Sequence, residues 1–264
     1  MFIFIPPSES KAVPTDAEPV APGSLVLPQL ARTRRALLQS LARLSRGPAD
    51  QALSVLGLTE GQRGELEHNR RLATAPAAPA AQVYCGVLYD ALDLPGLRGE
   101  SEAAYERAQE SVLVFSGLWG VLRPEDRIPY YRCSAGVKLP GVGSVTAAWK
   151  AALDAPLSGL VGERLVVDLR SSSYTGLWRA RGDRLGAART VTVRVLHERE
   201  ANGVLKRTVV SHFNKATKGR IVRALLLGGG EPKTPDEFAD ALRGLGYTVE
   251  SAGPGAVDVI VTEL

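Results

Sequence analysis

The chain opens with MFIFIPPSESK, residues 1–11, in which a short run of large apolar residues is followed by two prolines and a polar stretch. An apolar run of strand length that ends at proline is typical of a buried strand. The stretch lacks the basic start of a secretory signal, and its apolar run is about half the usual length. We therefore predict a buried first strand, and we expect a cytoplasmic protein.

Two further apolar runs have the same form. Val112 to Phe115 leads into SGLWGVLRP, residues 116–124, and Leu165 to Leu169 leads into RSSSY, residues 170–174. Each run has the length of a buried strand, and each is followed by glycine or hydroxyl residues. We predict that both are strands of the same core as residues 1–5.

The remaining segments alternate between strand and helix signals. Further strands are predicted at 191–195, at 204–212 after an Asn202-Gly203 turn, and at 257–262. A helix is predicted around Leu30–Leu44, with Arg32, Arg34, Arg35 and Arg43 on a basic outer face. Further helices are predicted at Ala49–Leu56, from Thr59 to Arg71, through Tyr84 to Leu92, and at 146–153, 215–227 and 235–242. The pattern predicts a mixed α/β (α+β) fold in one compact domain, residues 1–264, with a mixed sheet flanked by helices.

Composition and charge exclude some classes of protein. Of 264 residues 23% are charged, which is ordinary for a folded domain, and no apolar run reaches the roughly 20 residues that span a bilayer. Residues 164–223 contain 14 Lys or Arg against four acids, whereas residues 224–264 contain seven acids against two basic residues. This uneven distribution of charge favours a phosphate-bearing partner, although solvated surface arginines explain part of it equally well.

Polar side chains follow three of the predicted strands. They are Ser8, Glu9 and Lys11 after the first, Asp168 and Ser171 to Tyr174 after the second, and Asn214, Lys215 and Lys218 after the third. If these strands are neighbours, the three groups share one edge of the sheet, where α/β proteins bind ligands. The alternative is that the serines form turns and the lysines are solvated.

No catalytic motif stands out. Asp168 is the best candidate for an acid or base because it directly follows a buried strand, although an aspartate that caps the next turn fits equally. A Ser8–Lys11 nucleophile pair lacks an identifiable oxyanion hole, and G-x-S-x-G, G-x-x-x-x-G-K-[ST] and G-x-G-x-x-G are absent. Cys85 and Cys133 have no metal-ligand spacing, so we predict no metal and no cofactor, and a redox role for either thiol stays open.

Two segments favour contact with nucleic acid. Arg127 and Arg132 flank two tyrosines after the SGLWG string, and arginine with tyrosine can grip a phosphate and stack on a base. Leu56-Gly57-Leu58-Thr59 partly matches the turn of a helix-hairpin-helix element within residues 49–71, with the second glycine displaced to Gly61. A helix end followed by an N-cap explains that turn equally well.

Five strings together resemble the YaaA family of peroxide-stress proteins, in the family's order: residues 6–11, 83–89, 116–132, 166–174 and 211–223. The resemblance implies a single α/β domain of unusual topology with a positively charged cleft. It also implies binding of duplex or branched DNA through a helix-hairpin-helix element during peroxide stress. The family's polar positions correspond to Lys11, Arg132, Ser171, Tyr174, Lys215, Lys218 and Arg223. Two departures are the poor hairpin match after Asp50 and an aspartate at position 168, where members can carry asparagine.

Two functions follow as expectations. The first is a sequence-nonspecific DNA-binding protein that grips phosphates with Lys215, Lys218, Arg220 and Arg223. The alternative is an enzyme whose polar pocket holds a nucleotide or another small phosphorylated or carboxylated substrate, with Asp168, Lys11 and Tyr174 as catalytic residues. The predicted ligand contacts are Ser8, Glu9, Lys11, Arg127, Arg132, Ser171, Ser172, Lys215, Lys218 and Arg223.

Overall fold

The computed structural model describes residues 1–15, 17–180, 189–201 and 204–262, so the predicted Asn202-Gly203 turn lies outside it. Within these residues eight strands form one mixed sheet in the order β11-β12-β9-β8-β1-β3-β4, with β10 paired to β9. The strands are β1 Phe2–Ile5, β2 Ala78–Pro79, β3 Val112–Ser116, β4 Gly120–Leu122, β5 Arg127–Ile128, β6 Lys138–Leu139, β7 Gly143–Ser144, β8 Val166–Asp168, β9 Thr190–Ala201, β10 Val204–Thr208, β11 Thr248–Ser251 and β12 Ala256–Val261. The pairs β2–β5 and β6–β7 form two small ladders of their own.

The first strand lies in the middle of the sheet. β1 runs parallel to both β3 and β8, with Ile3 opposite Val112 and Phe4 opposite Asp168. All four residues of β1 are fully buried. A parallel strand covered on both faces reads as a continuous apolar run, which is why residues 2–5 show no alternation. The predictions of buried strands at the start of the chain and around Val112 and Val166 are confirmed.

Helices cover the sheet, and their bounds are α1 Ala31–Arg46, α2 Ala49–Leu56, α3 Glu65–Arg70, α4 Ala80–Val83, α5 Val87–Leu92, α6 Leu94–Glu100, α7 Glu102–Ser111, α8 Val145–Val161, α9 Ser172–Thr175, α10 Ser211–Gly228 and α11 Pro235–Gly244. α2 spans Ala49–Leu56, as predicted, and Gly57 follows it in the left-handed conformation. In the part of the chain that the structure describes, no helix combines the length and the apolar character needed to cross a bilayer.

Three predicted elements have different limits in the structure. The helix expected through Tyr84 to Leu92 is two short helices separated at Tyr84–Gly86. The helix expected from Thr59 is a short 3-10 turn at Glu60–Gln62 followed by α3. The strand expected at 204–212 ends at Thr208, and α10 begins at Ser211, so the β-branched Val209 and Val210 do not extend the strand.

Arg34 corrects the prediction of a uniformly basic outer face on α1. Arg32 and Arg35 are exposed, but Arg34 is fully buried. Its guanidinium donates to six carbonyl oxygens of the described residues at 2.6–3.5 Å: Pro22, Leu25, Val26, Leu27, Trp119 and Val121. Burial lowers the pKa of Arg34 to about 10, against a smaller opposing effect of Asp126. The side chain joins the 22–27 loop to the turn between β3 and β4.

The same turn explains the glycines of the SGLWG string. A Cβ at Gly117 would lie 2.4 Å from the carbonyl oxygen of Cys133, and one at Gly120 would lie 2.6 Å from the Trp149 ring. Gly120 also has a φ of 77°, in the region that favours glycine. Trp149 donates its indole N–H to the Gly117 carbonyl at 2.7 Å. The turn is therefore packed tightly against the 131–134 segment and against α8.

A second close approach joins α10 to α5. A Cβ at Gly219 would lie 2.3 Å from the Leu88 carbonyl oxygen and 2.9 Å from the Ala91 Cβ. Helix propensity alone predicts that Gly219→Ala stabilises the protein by about 1 kcal/mol. We expect the opposite, a loss of roughly 1–3 kcal/mol, because the contact is with backbone and the helices must separate. Urea denaturation would measure the free energy of unfolding.

Gly228→Ala is the matched control for this contact. Gly228 is in the same helix, and its added Cβ would meet Leu245 at an ordinary 3.6 Å. We expect this variant to be neutral or slightly stabilising. A stabilising Gly219→Ala would contradict the close packing of α10 on α5.

Candidate functional site

Three parallel strands end at one edge of the sheet. β1 lies between β3 and β8, and the Leu169 amide extends the β8 pairing by donating to Phe4 O at 2.9 Å. The segments that follow these strands are Ser8–Lys11, Ser116–Trp119 and Asp168–Tyr174. We call these segments, together with Tyr84, Tyr131, Arg132 and Lys218, the strand-edge site. The expected adjacency of the first and second polar groups is thus present.

Lys11 is held at this site over aromatic rings. Its Nζ donates to the Ser8 carbonyl at 2.6 Å and lies 4.5 Å from the centre of the Tyr131 ring and 5.6 Å from that of Tyr84. A backbone bridge between Lys11 and Tyr84 fixes the position of the lysine. Burial lowers the pKa of Lys11 to about 8, and the nearby Glu9 only partly opposes this effect. The amine is therefore neutral in a much larger fraction of molecules than an exposed lysine is.

Beneath Lys11, three buried hydroxyl groups form a chain. Tyr84 Oη and Tyr131 Oη are 2.7 Å apart, and Tyr131 Oη is 2.7 Å from Ser116 Oγ. Ser116 Oγ accepts the amides of Leu118 and Trp119, so both of its lone pairs are used and its own proton must go to Tyr131. Tyr131 then donates to Tyr84. Burial raises the pKa of both tyrosines, so the chain stays neutral.

Arg132 and Glu9 form one wall of the site. Arg132 Nη1 lies 2.9 Å from Glu9 Oε2 and donates to the Glu9 carbonyl at 2.7 Å. The buried Asn69 fixes the Arg132 backbone through two hydrogen bonds of 2.9 Å, one donated and one accepted. α3 therefore positions the arginine, while next to it Tyr130 donates to Glu65 at 2.7 Å.

Asp168 does not have the free carboxylate that the predicted acid or base would need. Its Oδ1 accepts Arg170 Nε at 2.9 Å and the Arg170 amide at 3.1 Å, and its Oδ2 accepts Arg170 Nη2 at 2.6 Å. The guanidinium also lies 4.1 Å from the centre of the Phe115 ring. The carboxylate thus caps its own turn and neutralises Arg170, a buried arginine that is not among the predicted site residues.

The other predicted residues near the end of β8 differ in their exposure to solvent. Ser171 and Ser172 are exposed, and Tyr174 is buried, with a pKa raised first by burial and then by Glu9. Lys218 Nζ donates to the Leu169 carbonyl at 3.2 Å, and burial lowers its pKa. Lys215 is exposed one turn earlier on α10. The third predicted group lies at the start of a helix, as expected, and Lys218 is its member that contacts the residues after β8.

Two predicted contacts have structural partners elsewhere. Arg223 donates to the carbonyls of Leu92 and Asp93 and pairs with Glu100, so it ties α10 to α5 and α6. Arg127 donates to the Ala77 carbonyl on the small β2–β5 ladder. Neither contact is with the strand-edge site.

The turn of the predicted helix-hairpin-helix element uses its own amides. The Gly57 and Leu58 amides donate to carbonyls of α2, and the Thr59 amide donates to the Gln62 side chain. Asp50 and Glu60 are exposed beside the turn, where both pair with Arg63. Because these amides already have acceptors and two carboxylates lie beside them, the turn is poorly suited to bind a phosphate.

Neither the two cysteines nor the potential metal-ligating side chains of the described residues form a second candidate site. Burial raises the pKa of Cys133 to about 12 and also raises that of the half-buried Cys85, which lowers the thiolate fraction of both. Among the described residues, no group of three or more His, Cys, Asp or Glu side chains is arranged to hold a metal ion.

Comparison with known proteins identifies the family. A family model described as "Peroxide stress protein YaaA" matches residues 1–252. A UPF0246 protein of Streptomyces coelicolor is 50% identical over the whole of both chains. One from Corynebacterium efficiens is 40% identical over 95% of each chain, and an uncharacterized protein of Campylobacter jejuni is 27% identical over 83% of this chain and 82% of its own. The chain belongs to the YaaA family of peroxide stress proteins.

Proposed function

We propose that the protein binds duplex or branched DNA without reading its sequence, through phosphate contacts at the strand-edge site and along the start of α10. The observation that supports this best is the set of cations around one sheet edge: Lys11, Arg132, Lys215 and Lys218. Cations outnumber the carboxylates of Glu9, Asp168 and nearby Glu65. Membership in a peroxide-stress family agrees with a role in protecting DNA.

Helix α10 adds backbone donors to these cations. Its first amides have no helical acceptor, and further along the helix Lys218 contacts the Leu169 carbonyl just after β8. Amides at a helix start and lysine ammonium groups both suit phosphate. Phosphate contacts fix the position of a duplex but contain no base information, so the proposal predicts nonspecific binding.

Salt dependence tests this proposal. If three to four phosphates are neutralised, the affinity should fall roughly 40- to 150-fold between 50 and 200 mM salt, because each contact releases counterions. Fluorescence anisotropy with a labelled duplex measures this. The double variant Lys215→Gln, Lys218→Gln should weaken binding and reduce the salt slope by about 2.

A double variant of equal charge change provides the control. Lys138 and Lys233 are exposed outside the site, so Lys138→Gln with Lys233→Gln should leave both the affinity and the slope nearly unchanged. No binding at 50 mM salt, or binding that salt does not weaken, contradicts the proposal. An equal loss in both double variants would show that only net charge matters.

A second candidate function is an enzyme acting on a small nucleotide-like substrate. The observation that favours it is the buried Lys11 amine over the hydroxyl chain, since a DNA clamp does not need either. A separate cavity of about 440 Å³, whose lining includes Tyr130, His68, Arg71 and Pro14, has the volume of a small-ligand pocket. A rise in melting temperature with nucleotides would support this candidate, and unchanged melting across a broad panel would count against it.

A further inference from the structure

Lys11 differs from the other cations of the strand-edge site in its environment. Among the described residues its Nζ has no ion pair within 4 Å, and its recorded hydrogen bond is to the neutral Ser8 carbonyl. The phenols beneath it remain protonated, so they supply no anion to hold an ammonium. The charged or titratable groups that influence Lys11 are Glu9, Arg132, Glu65 and Cys85.

This environment gives the amine a free lone pair at ordinary pH. With a pKa of about 8, roughly a quarter of the molecules have a neutral amine at pH 7.5, whereas an exposed lysine is neutral in about one molecule in a thousand. A desolvated lysine of this kind is the usual nucleophile for carbonyl carbons. A phosphate contact uses the charged form of Lys11 and gains nothing from its neutral form.

We propose that Lys11 condenses with an aldehyde carried by DNA, the open-chain sugar of an abasic site, and forms an imine. The amine lone pair bonds to the aldehyde carbon, and the aldehyde oxygen leaves as water with both hydrogens of the amine. No oxidant, reductant or metal enters this balance. The rings of Tyr131 and Tyr84, which bear two of the three hydroxyls of the chain, lie against the amine with their centres 4.5 and 5.6 Å from Nζ.

The arrangement of the site suits such a ligand. Lys11 lies over the tyrosine rings, Arg132 is held by Glu9 at one wall of the site, and Lys218 contacts Leu169 just after β8, so the site offers two further cations to phosphate. An abasic sugar has no base to fill the space above its ring, so its aldehyde can reach a recessed amine. The inference rests on the DNA binding proposed above, and it adds covalent capture of one class of damage.

Trapping with sodium cyanoborohydride tests the proposal. The protein is incubated either with a duplex that contains one abasic site or with 2-deoxyribose 5-phosphate, and the adduct is mapped by peptide mass spectrometry. We expect one dominant adduct on Lys11, formed faster as the pH rises through about 8. Lys11→Met should lose it, whereas the exposed-lysine control Lys138→Met should keep it.

The two probes separate this inference from DNA binding. Labelling of Lys11 by 2-deoxyribose 5-phosphate without binding of an intact duplex would support the amine chemistry and reject the DNA proposal. Binding of the intact duplex with adducts spread evenly over exposed lysines would reject the amine chemistry alone. A thermal melt of Lys11→Met tests whether this variant is folded, and an adduct that persists in the folded variant overturns the assignment to Lys11.

Discussion

Replacing Arg34 with methionine is expected to lower the free energy of unfolding by at least about 3 kcal/mol, a large part of the roughly 5–15 kcal/mol of a typical domain. The methionine has a similar length but no donor, so the carbonyls that Arg34 now binds would stay buried without partners. Each such group costs about 1–3 kcal/mol when left unsatisfied. When the 22–27 loop relaxes towards water, some of these carbonyls become hydrated. The expected loss is therefore smaller than the summed cost of all the unsatisfied carbonyls.

Two further variants make the Arg34 experiment specific. Arg35→Met changes the same side chain on the exposed face one residue later, and we expect a change within about 0.5 kcal/mol. Arg34→Lys keeps the charge but has a single ammonium in place of the planar fork, so most of the loss should remain. Guanidinium denaturation of the three variants measures these differences. A loss below about 1 kcal/mol in Arg34→Met would show that the 22–27 loop does not depend on this side chain.

The spacing of α1 and the residue type at position 34 favour opposite faces of the helix. Leu30, Leu37, Leu41 and Leu44 form the apolar stripe of α1, and position 34 lies on the same stripe at i+4 from Leu30. Arginine is rarely buried without a carboxylate, so residue type alone favours the outer face. Here backbone carbonyls replace the carboxylate, and they come from segments up to 87 residues away. Periodicity therefore located the residue, but only the tertiary structure shows its partners.

The strand-edge site was partly predictable for a similar reason. Runs such as 2–5 and 165–169 identify buried parallel strands, and the residues after parallel strands must meet if the strands are neighbours. The hydroxyl chain was not predictable, because Tyr84, Tyr131 and Ser116 come from three separate segments and their contacts depend on loop packing. The limit of the strand at Thr208 was also missed, since Val209 and Val210 have strand propensity although α10 begins just after them.

Asp168→Ala is expected to lower the free energy of unfolding by about 3–5 kcal/mol, because it leaves the Arg170 guanidinium buried without its counter-ion. The side chains of Arg170 and Asp168 are only 2% and 10% exposed, and two of their contacts are 2.6 and 2.9 Å. The Phe115 ring attracts the cation but does not replace a carboxylate. Thermal and urea denaturation would measure the loss, and DNA binding should fall with the folded fraction.

Asp258→Ala is the control that separates the effect of burying the arginine from the effect of the ion-pair geometry. Asp258 binds Arg194 with nearly the same pair of distances, 2.6 and 2.7 Å, but the Arg194 side chain is 59% exposed and water can solvate it once the carboxylate is gone. We expect a loss of about 1 kcal/mol there. Equal losses in the two variants would mean that Arg170 reaches water when Asp168 is removed. A large loss confined to Asp168→Ala would assign this carboxylate to holding the turn after β8, and chemistry at the site would then depend on Lys11.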